Sequence, residues 1–116
     1  MSSGSVFQLK GSIHYHICTH PVDMRKNFRG LMGIVSSEFG KRLESDHAYI
    51  FVGKNKRTVK VIRREGSGLL LYVRKLDEGS FCFPRYDPER NEVRISYANF
   101  VLLVMGQRII SETYPE

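Results

Sequence analysis

Between residues 47 and 84 the chain repeats one pattern: a short apolar run, then a polar or glycine-bearing turn, then another apolar run. The runs are HAYIFVG (47–53), TVKVIRR (58–64), GLLLYVRKL (68–76) and SFCFP (80–84). The turns between them are KNKR, EGS and DEG. Runs this short, rich in β-branched and aromatic residues, read as strands. Turns this short join antiparallel neighbours. The spacing therefore predicts a meander of antiparallel strands, and anything helical must cover it.

Two helices are available. Upstream, SIHYHIC (12–18) alternates as a strand, with Ile13, Tyr15 and Ile17 on one face and His14, His16 and Cys18 on the other. THPVD follows, with Pro21 suited to a first helical position and Asp23 to a first turn. From Pro21 to about Phe39, the residues Met24, Phe28, Leu31, Val35 and Phe39 form one apolar stripe, and Gly40 is a natural C-terminal stop. Gly30 and Gly33 inside that helix imply close packing. Downstream, RYDPERNE (85–92) is a loop, VRIS a candidate short strand, and Ser96 a cap for YANFVLLVM (97–105), stopped by Gly106. This last helix is apolar nearly all round, which calls for burial in the domain or in a partner. The expected fold class is α+β. A curved antiparallel sheet of about five strands packs in two layers against an amphipathic N-terminal helix and an apolar C-terminal helix. Residues 12–109 form one domain, 1–11 a loose lead-in and 110–116 a tail.

The charge is concentrated. The chain of 116 residues has 18 Lys and Arg against 12 Asp and Glu, a net +6. Residues 54–75 alone hold Lys54, Lys56, Arg57, Lys60, Arg63, Arg64, Arg74 and Lys75 against Glu65. The rest of the chain is therefore close to neutral. Alternation puts Lys60 and Arg64 on one face of their strand. With Arg74 beside Tyr72 on the next strand, they could form a stripe that follows a phosphate backbone. An acidic protein partner or a solvated sheet face is also compatible with the pattern. No apolar run is long enough for a membrane span, and MSSGSVFQLKGS lacks the plan of a secretion signal.

Catalytic signals are sparse. There is no phosphate-cradling glycine loop, nucleophile elbow or paired CxxC. Asp23, Asp77 and Glu78 have ready roles in a helix start and a turn, so a carboxylate metal centre is not indicated. His14, His16 and Cys18 on one strand face are a possible zinc set, although the spacing matches no closed structural site. A half-exposed strand face is the alternative. Cys18 and Cys82 read as free thiols.

The order of motifs adds a further constraint. A strand, then T-x-P-x-DMRK-x-F-x-GL, FVGKNKR, VKVIRREGSGLLLYVRKLDEGSFCFP and a final apolar helix together resemble a known family. It is the small accessory protein encoded by the second open reading frame of bacterial insertion sequences of the insertion-sequence-66 family. The resemblance spans roughly residues 13–109. Its motif positions are Asp23, Met24, Arg25, Lys26, Phe28, Gly30 and Leu31, then Phe51, Asn55 and Arg57. Further on they are Lys60, Gly66, Gly68, Arg74, Lys75, Leu76, Gly79, Phe81 and Pro84. Where the family reads WDGDG, this chain has RREGSG, with Arg64, Glu65 and Ser67 replacing an aromatic and two acids. Phe83 replaces a tryptophan, and the first-strand histidines lie outside the pattern.

The resemblance implies a role in transposition beside a separate transposase. With the sparse catalytic signals, the basic segment and the apolar last helix, the expectation is a non-catalytic, cytoplasmic factor with no cofactor, whose partners are DNA at the element ends, the transposase and a second copy of the chain. The candidate DNA contacts are Arg25, Lys26, Arg29, Asn55, Arg57, Lys60, Arg64, Arg74 and Lys75. Arg25 and Lys26, expected at the positive end of a helix, would share an anion with its N–H groups. Alternatively Arg25 pairs with Asp23, Glu38 or Asp77 and holds the helix onto the sheet. The second functional reading, resting on the apolar helix 97–105, is an adaptor that docks on the transposase or another accessory protein without touching DNA.

Overall fold

A computed structural model describes residues 12–83, 86–87 and 89–107; the expected lead-in and tail lie outside the described residues. The elements are β1 (His14–Cys18), α1 (Phe28–Ser37), β2 (His47–Val52), β3 (Thr58–Glu65), β4 (Gly68–Lys75), β5 (Glu92–Ile95) and α2 (Tyr97–Val104). The α+β class is as expected. The sheet has five strands in the order β4-β3-β2-β1-β5.

The β2–β3–β4 meander is antiparallel, as its turns require. The sheet as a whole is mixed, because β1 pairs with β2 in parallel. The reason is the helix between them: α1 carries the chain back along the sheet, so β2 starts at the same end as β1. The candidate strand at 93–96 forms as β5, antiparallel to β1 on its outer side. SFCFP is not a strand over its described residues 80–83. Its Phe81 N–H donates to the Lys56 carbonyl (2.6 Å), and its ring is buried against the core.

The expected two layers are three. Phe100 and Leu103 of α2 pack with Tyr15, Ile17, Ile50, Val59 and Val61 on one face. Leu31, Ile34 and Val35 of α1 pack with Cys18, Tyr49, Phe51 and Ile62 on the other. Covering on both faces explains why β2 and most of β3 are buried along nearly their whole length.

The second helix follows its sequence signals. The Ser96 hydroxyl accepts the Asn99 N–H (3.1 Å), and Gly106 turns the chain at φ +78°. The first does not. It starts at Phe28, seven residues later than expected. The Val22 N–H donates to the Val52 carbonyl (3.0 Å), which holds that stretch along the end of β2. The Asp23 carboxylate accepts the backbone N–H of Arg25 (2.9 Å), and the Lys26 N–H donates to the Asp23 carbonyl (3.1 Å). A short acidic side chain that closes a local turn competes with helix formation. The helix ends at Ser37 with Glu38 as its C-cap, earlier than expected, and Gly40 turns the chain just beyond it at φ +64°. Phe28 of the expected stripe faces outward, and Ile34 joins Leu31 and Val35 inside. Of the two helix glycines, only Gly30 is closely packed, against the Lys26 side chain; Gly33 faces open space.

Candidate nucleic-acid interface

The hairpin between β2 and β3 is closed by its own residues. The Gly53 N–H donates to the Thr58 carbonyl (3.0 Å) and the Lys56 N–H to the Gly53 carbonyl (2.9 Å), with Lys56 at φ 60°. The Asn55 side-chain oxygen accepts the Arg57 N–H (2.9 Å), so Asn55 shapes the turn. Lys54, Lys56 and Arg57 are left exposed.

The Asp23–Lys26 turn packs directly beside this hairpin. A side chain on Gly53 would place its Cβ 2.6 Å from Met24 Cγ, so the close approach requires glycine. Val22, Asp23 and Met24 line one side of a shallow groove, and Gly53, Lys54, Asn55 and Thr58 the other. On the next strand, Thr58 faces Lys75 and Val59 faces Arg74. The Leu76 N–H then donates to the Arg57 carbonyl (2.8 Å). One end of the sheet thus gathers Arg25, Lys26, Lys54, Lys56, Arg57, Arg74 and Lys75, all exposed. Arg29, the second residue of α1, is exposed as well.

Four expectations for this surface need correcting. Arg25 and Lys26 lie in a turn ahead of α1, so they do not sit at a helix start. Lys60 faces α1 and is 7% exposed. Its ammonium donates to the Lys26 carbonyl and to Asn27 Oδ1, both at 2.8 Å. Arg64 sits at the far end of β3 and donates to the Leu43 carbonyl (3.3 Å). Finally, the β3–β4 register puts Arg74 with Val59 and Tyr72 with Val61, on the α2 face, opposite Lys60 and Arg64. No single stripe can contain all three.

Arg25 pairs with Asp23, through Nε at 3.1 Å and Nη2 at 2.8 Å. The bonds from Arg25 hold the Asp23 carboxyl down to about 2. The pair is local and does not tie the helix to the sheet, and the Arg25 side chain is 91% exposed. Glu38, another of the partners weighed for it, pairs with His20 (2.8 Å). Lys60 ties the start of α1 to the sheet. Asn27 Oδ1 accepts from Lys60, and the first N–H groups of α1 have no side-chain cap.

The histidines behave differently from a strand face in water. His16 is buried, with Nδ1 bonded to Glu92 Oε1 (2.9 Å) and Nε2 to His47 Nδ1 (2.8 Å). Its ring stacks on Tyr49. Burial would raise the Glu92 carboxyl, but the bond and charge of His16 and the ammonium of Lys41 hold it below its ordinary value. Burial, then the charge of His16, lowers His47. Burial pushes the Cys18 thiol up to about 11, and it points to the His20 carbonyl (3.4 Å). His14, His16 and Cys18 therefore do not assemble as one ligand set. Asp46, His47 and Glu92, which complete this cluster, were invisible to local patterning, since β1–β2 and β1–β5 pairing brings them in.

Among the described residues, no helix is long and apolar enough to cross a membrane. No solved structure matches the chain. A relative in Sinorhizobium fredii, the uncharacterized protein y4jC, is 30% identical over 90 residues, covering 78% of this chain and 75% of that protein. A second from the same organism, the uncharacterized protein y4hO, is 28% identical over 95 residues, covering 82% and 81%. The IS66 Orf2-like protein family matches residues 13–113, a span that takes in every element described above. On that match the chain belongs to the IS66 Orf2-like family of transposition-associated accessory proteins.

Proposed function

We propose that this protein is a non-catalytic, cytoplasmic accessory factor that contacts DNA phosphates through the hairpin end of its sheet, beside a separate transposase. The observation that carries the reading is the packing of the Asp23–Lys26 turn against the 53–57 hairpin. It unites two basic segments far apart in sequence. The contact set is Arg25, Lys26, Arg29, Lys54, Lys56, Arg57, Arg74 and Lys75, with Asn55 shaping the loop. Lys60 and Arg64 are outside it. Loops that carry cations on a rigid sheet can follow a backbone without reading bases, so this surface supplies affinity and register. The uncapped N–H groups at the start of α1 add to its attraction for an anion.

The test is titration of a fluorescent duplex carrying the element's terminal inverted repeat, and of a scrambled duplex, at several salt concentrations. Five or six neutralised phosphates give a log–log slope of about −5. Replacing Lys54, Lys56 and Arg57 together by Ala should reduce that slope by about 3. At least tenfold weaker binding of the scrambled duplex would mean end recognition, and equal binding would mean generic phosphate contact. No binding at about 50 mM salt would remove the DNA reading.

One observation favours the adaptor reading. The outer side of α2 leaves Tyr97 42% and Met105 55% exposed, and aromatic and methionine side chains are common at interfaces. Co-purification of the transposase that is lost on Tyr97→Ser and Met105→Ser, with DNA affinity unchanged, would support an adaptor.

A further inference from the structure

We propose that His14, Asp46 and His47 form a binding site for one divalent ion of the zinc type. Parallel pairing sets His14 opposite His47, with ring centroids 4.9 Å apart. Asp46 precedes His47, and its carbonyl accepts the His14 N–H (2.8 Å), which fixes the start of β2 against the start of β1. One ligand atom from each of the three residues lies within 4.8 Å of the others.

The decisive distance is 3.7 Å, from His47 Nε2 to Asp46 Oδ1. That is too long for a hydrogen bond. It is close to the separation of about 3.4 Å between two ligand atoms around a tetrahedral zinc with bonds near 2.1 Å. Asp46 is exposed, so its carboxylate can rotate to close the remaining gap toward His14. Two imidazoles and one carboxylate are a donor set suited to zinc, cobalt or nickel, and they leave a fourth position for water.

The surroundings supply what such ligands need behind them. An ion on His47 Nε2 requires the proton on Nδ1. That proton has an acceptor in His16 Nε2 at 2.8 Å, and the His16 Nδ1 proton has one in Glu92 Oε1 at 2.9 Å. Metal-bound histidines commonly donate their second N–H to such a partner. Arg94 opposes loading, because its guanidinium donates to His14 Nδ1. An ion on Nδ1 displaces Arg94 directly, and an ion on Nε2 moves the ring proton to Nδ1. Either way, filling the site releases Arg94.

The site is independent of the DNA reading, since it shares no residue with the hairpin end. Its test uses the untagged full chain, stripped with EDTA and titrated with Co²⁺ by visible absorption, with Zn²⁺ as competitor. One ion per chain is expected, with affinity at least tenfold weaker in Asp46→Asn and in His14→Gln. Arg94→Ala should bind at least as tightly as the parent, and Cys18→Ser should match it. Circular dichroism checks that each variant is folded. No saturable binding up to about millimolar metal would overturn the proposal. So would affinity that survives both Asp46→Asn and His14→Gln, or that depends on Cys18.

Discussion

The two ends of the sheet treat charge in opposite ways. At the hairpin end, Lys54, Lys56, Arg57, Arg74 and Lys75 stand exposed on a turn and on the end of an edge strand. At the end where β1 and β2 begin, titratable groups face one another. His16 is held between Glu92 and His47, and His14 lies between His47 and Arg94. Charges that partner one another are part of what holds the strands in register. Charges that stand in water are dispensable to the fold and free to meet a ligand. The contrast separates the basic residues by role, and net charge alone could not do that. Lys60 and Arg63 are the exceptions that sharpen it, since both belong to the basic segment by sequence and to the interior by position.

The largest expected effect follows from the first of these exceptions. In Lys60→Met the stem volume is kept, but the Lys26 carbonyl and Asn27 Oδ1 lose their shared charged donor. A lost hydrogen bond of this kind costs about 2 kcal/mol. For a domain of this size that lowers Tm by about 8 °C. Duplex affinity at a temperature where the variant is folded should be close to the parent's. A variant as stable as the parent but much weaker on DNA would put Lys60 back among the contacts.

Next comes Gly53→Ala. The added Cβ would meet Met24 Cγ at 2.6 Å, so the Met24 side chain must shift, and the expectation is that it pushes the Asp23–Lys26 turn off the hairpin. The expected loss is about 1 to 2 kcal/mol, in the range for overpacking a tight contact. Unlike Lys60→Met, it should also weaken DNA binding, because it separates the two basic segments. Loss of stability with DNA affinity intact would mean that their adjacency does not matter.

What could be read from the chain divides along similar lines. α2 was legible because Ser96 and Gly106 act on their own neighbours. The β2–β3–β4 meander was legible because its turns are short and polar. The start of α1 was misplaced because Asp23 closes a turn on Arg25 and β2 captures Val22, and the second of these is not local. Alternation assigned His14, His16 and Cys18 correctly to one face, but could not say that α1 would pack on it or that β5 would bring Glu92 to His16. For the same reason Lys60 was placed on an open surface. The hairpin turn itself was found, but its union with the DMRK turn needed the tertiary packing at Gly53.

The paired end should give itself away in acid. His47 is lowered from an ordinary value of 6.5, so the unfolded chain takes up its proton first. Stability is therefore complete above about pH 6.5 and falls as the pH drops below it. Glu92 is lowered from 4.5, so its contribution is present above that value and is lost as the carboxyl protonates at lower pH. Tm measured from pH 7.5 downward should decline in two stages, and His47→Gln should flatten the first. A decline unchanged in His47→Gln would assign the first stage to another group.

The smallest stability effect is expected at Arg25, and it bears most directly on the comparison. Arg25→Ala removes bonds to Asp23 that are local in sequence and open to solvent. Exposed ion pairs of this kind contribute little, because water solvates both partners and salt screens them. The turn survives, since its two backbone bonds come from the Arg25 N–H and the Lys26 N–H, which alanine retains. Tm should therefore stay within error of the parent's, and the carboxyl of Asp23 should return toward its ordinary range. Duplex affinity should fall all the same, for two reasons: a phosphate contact is lost, and the Asp23 carboxylate is left unneutralised in the groove beside Lys54. If Tm falls and DNA affinity holds, Arg25 belongs with the charges that maintain the fold, and the division between the two ends fails at its most exposed residue.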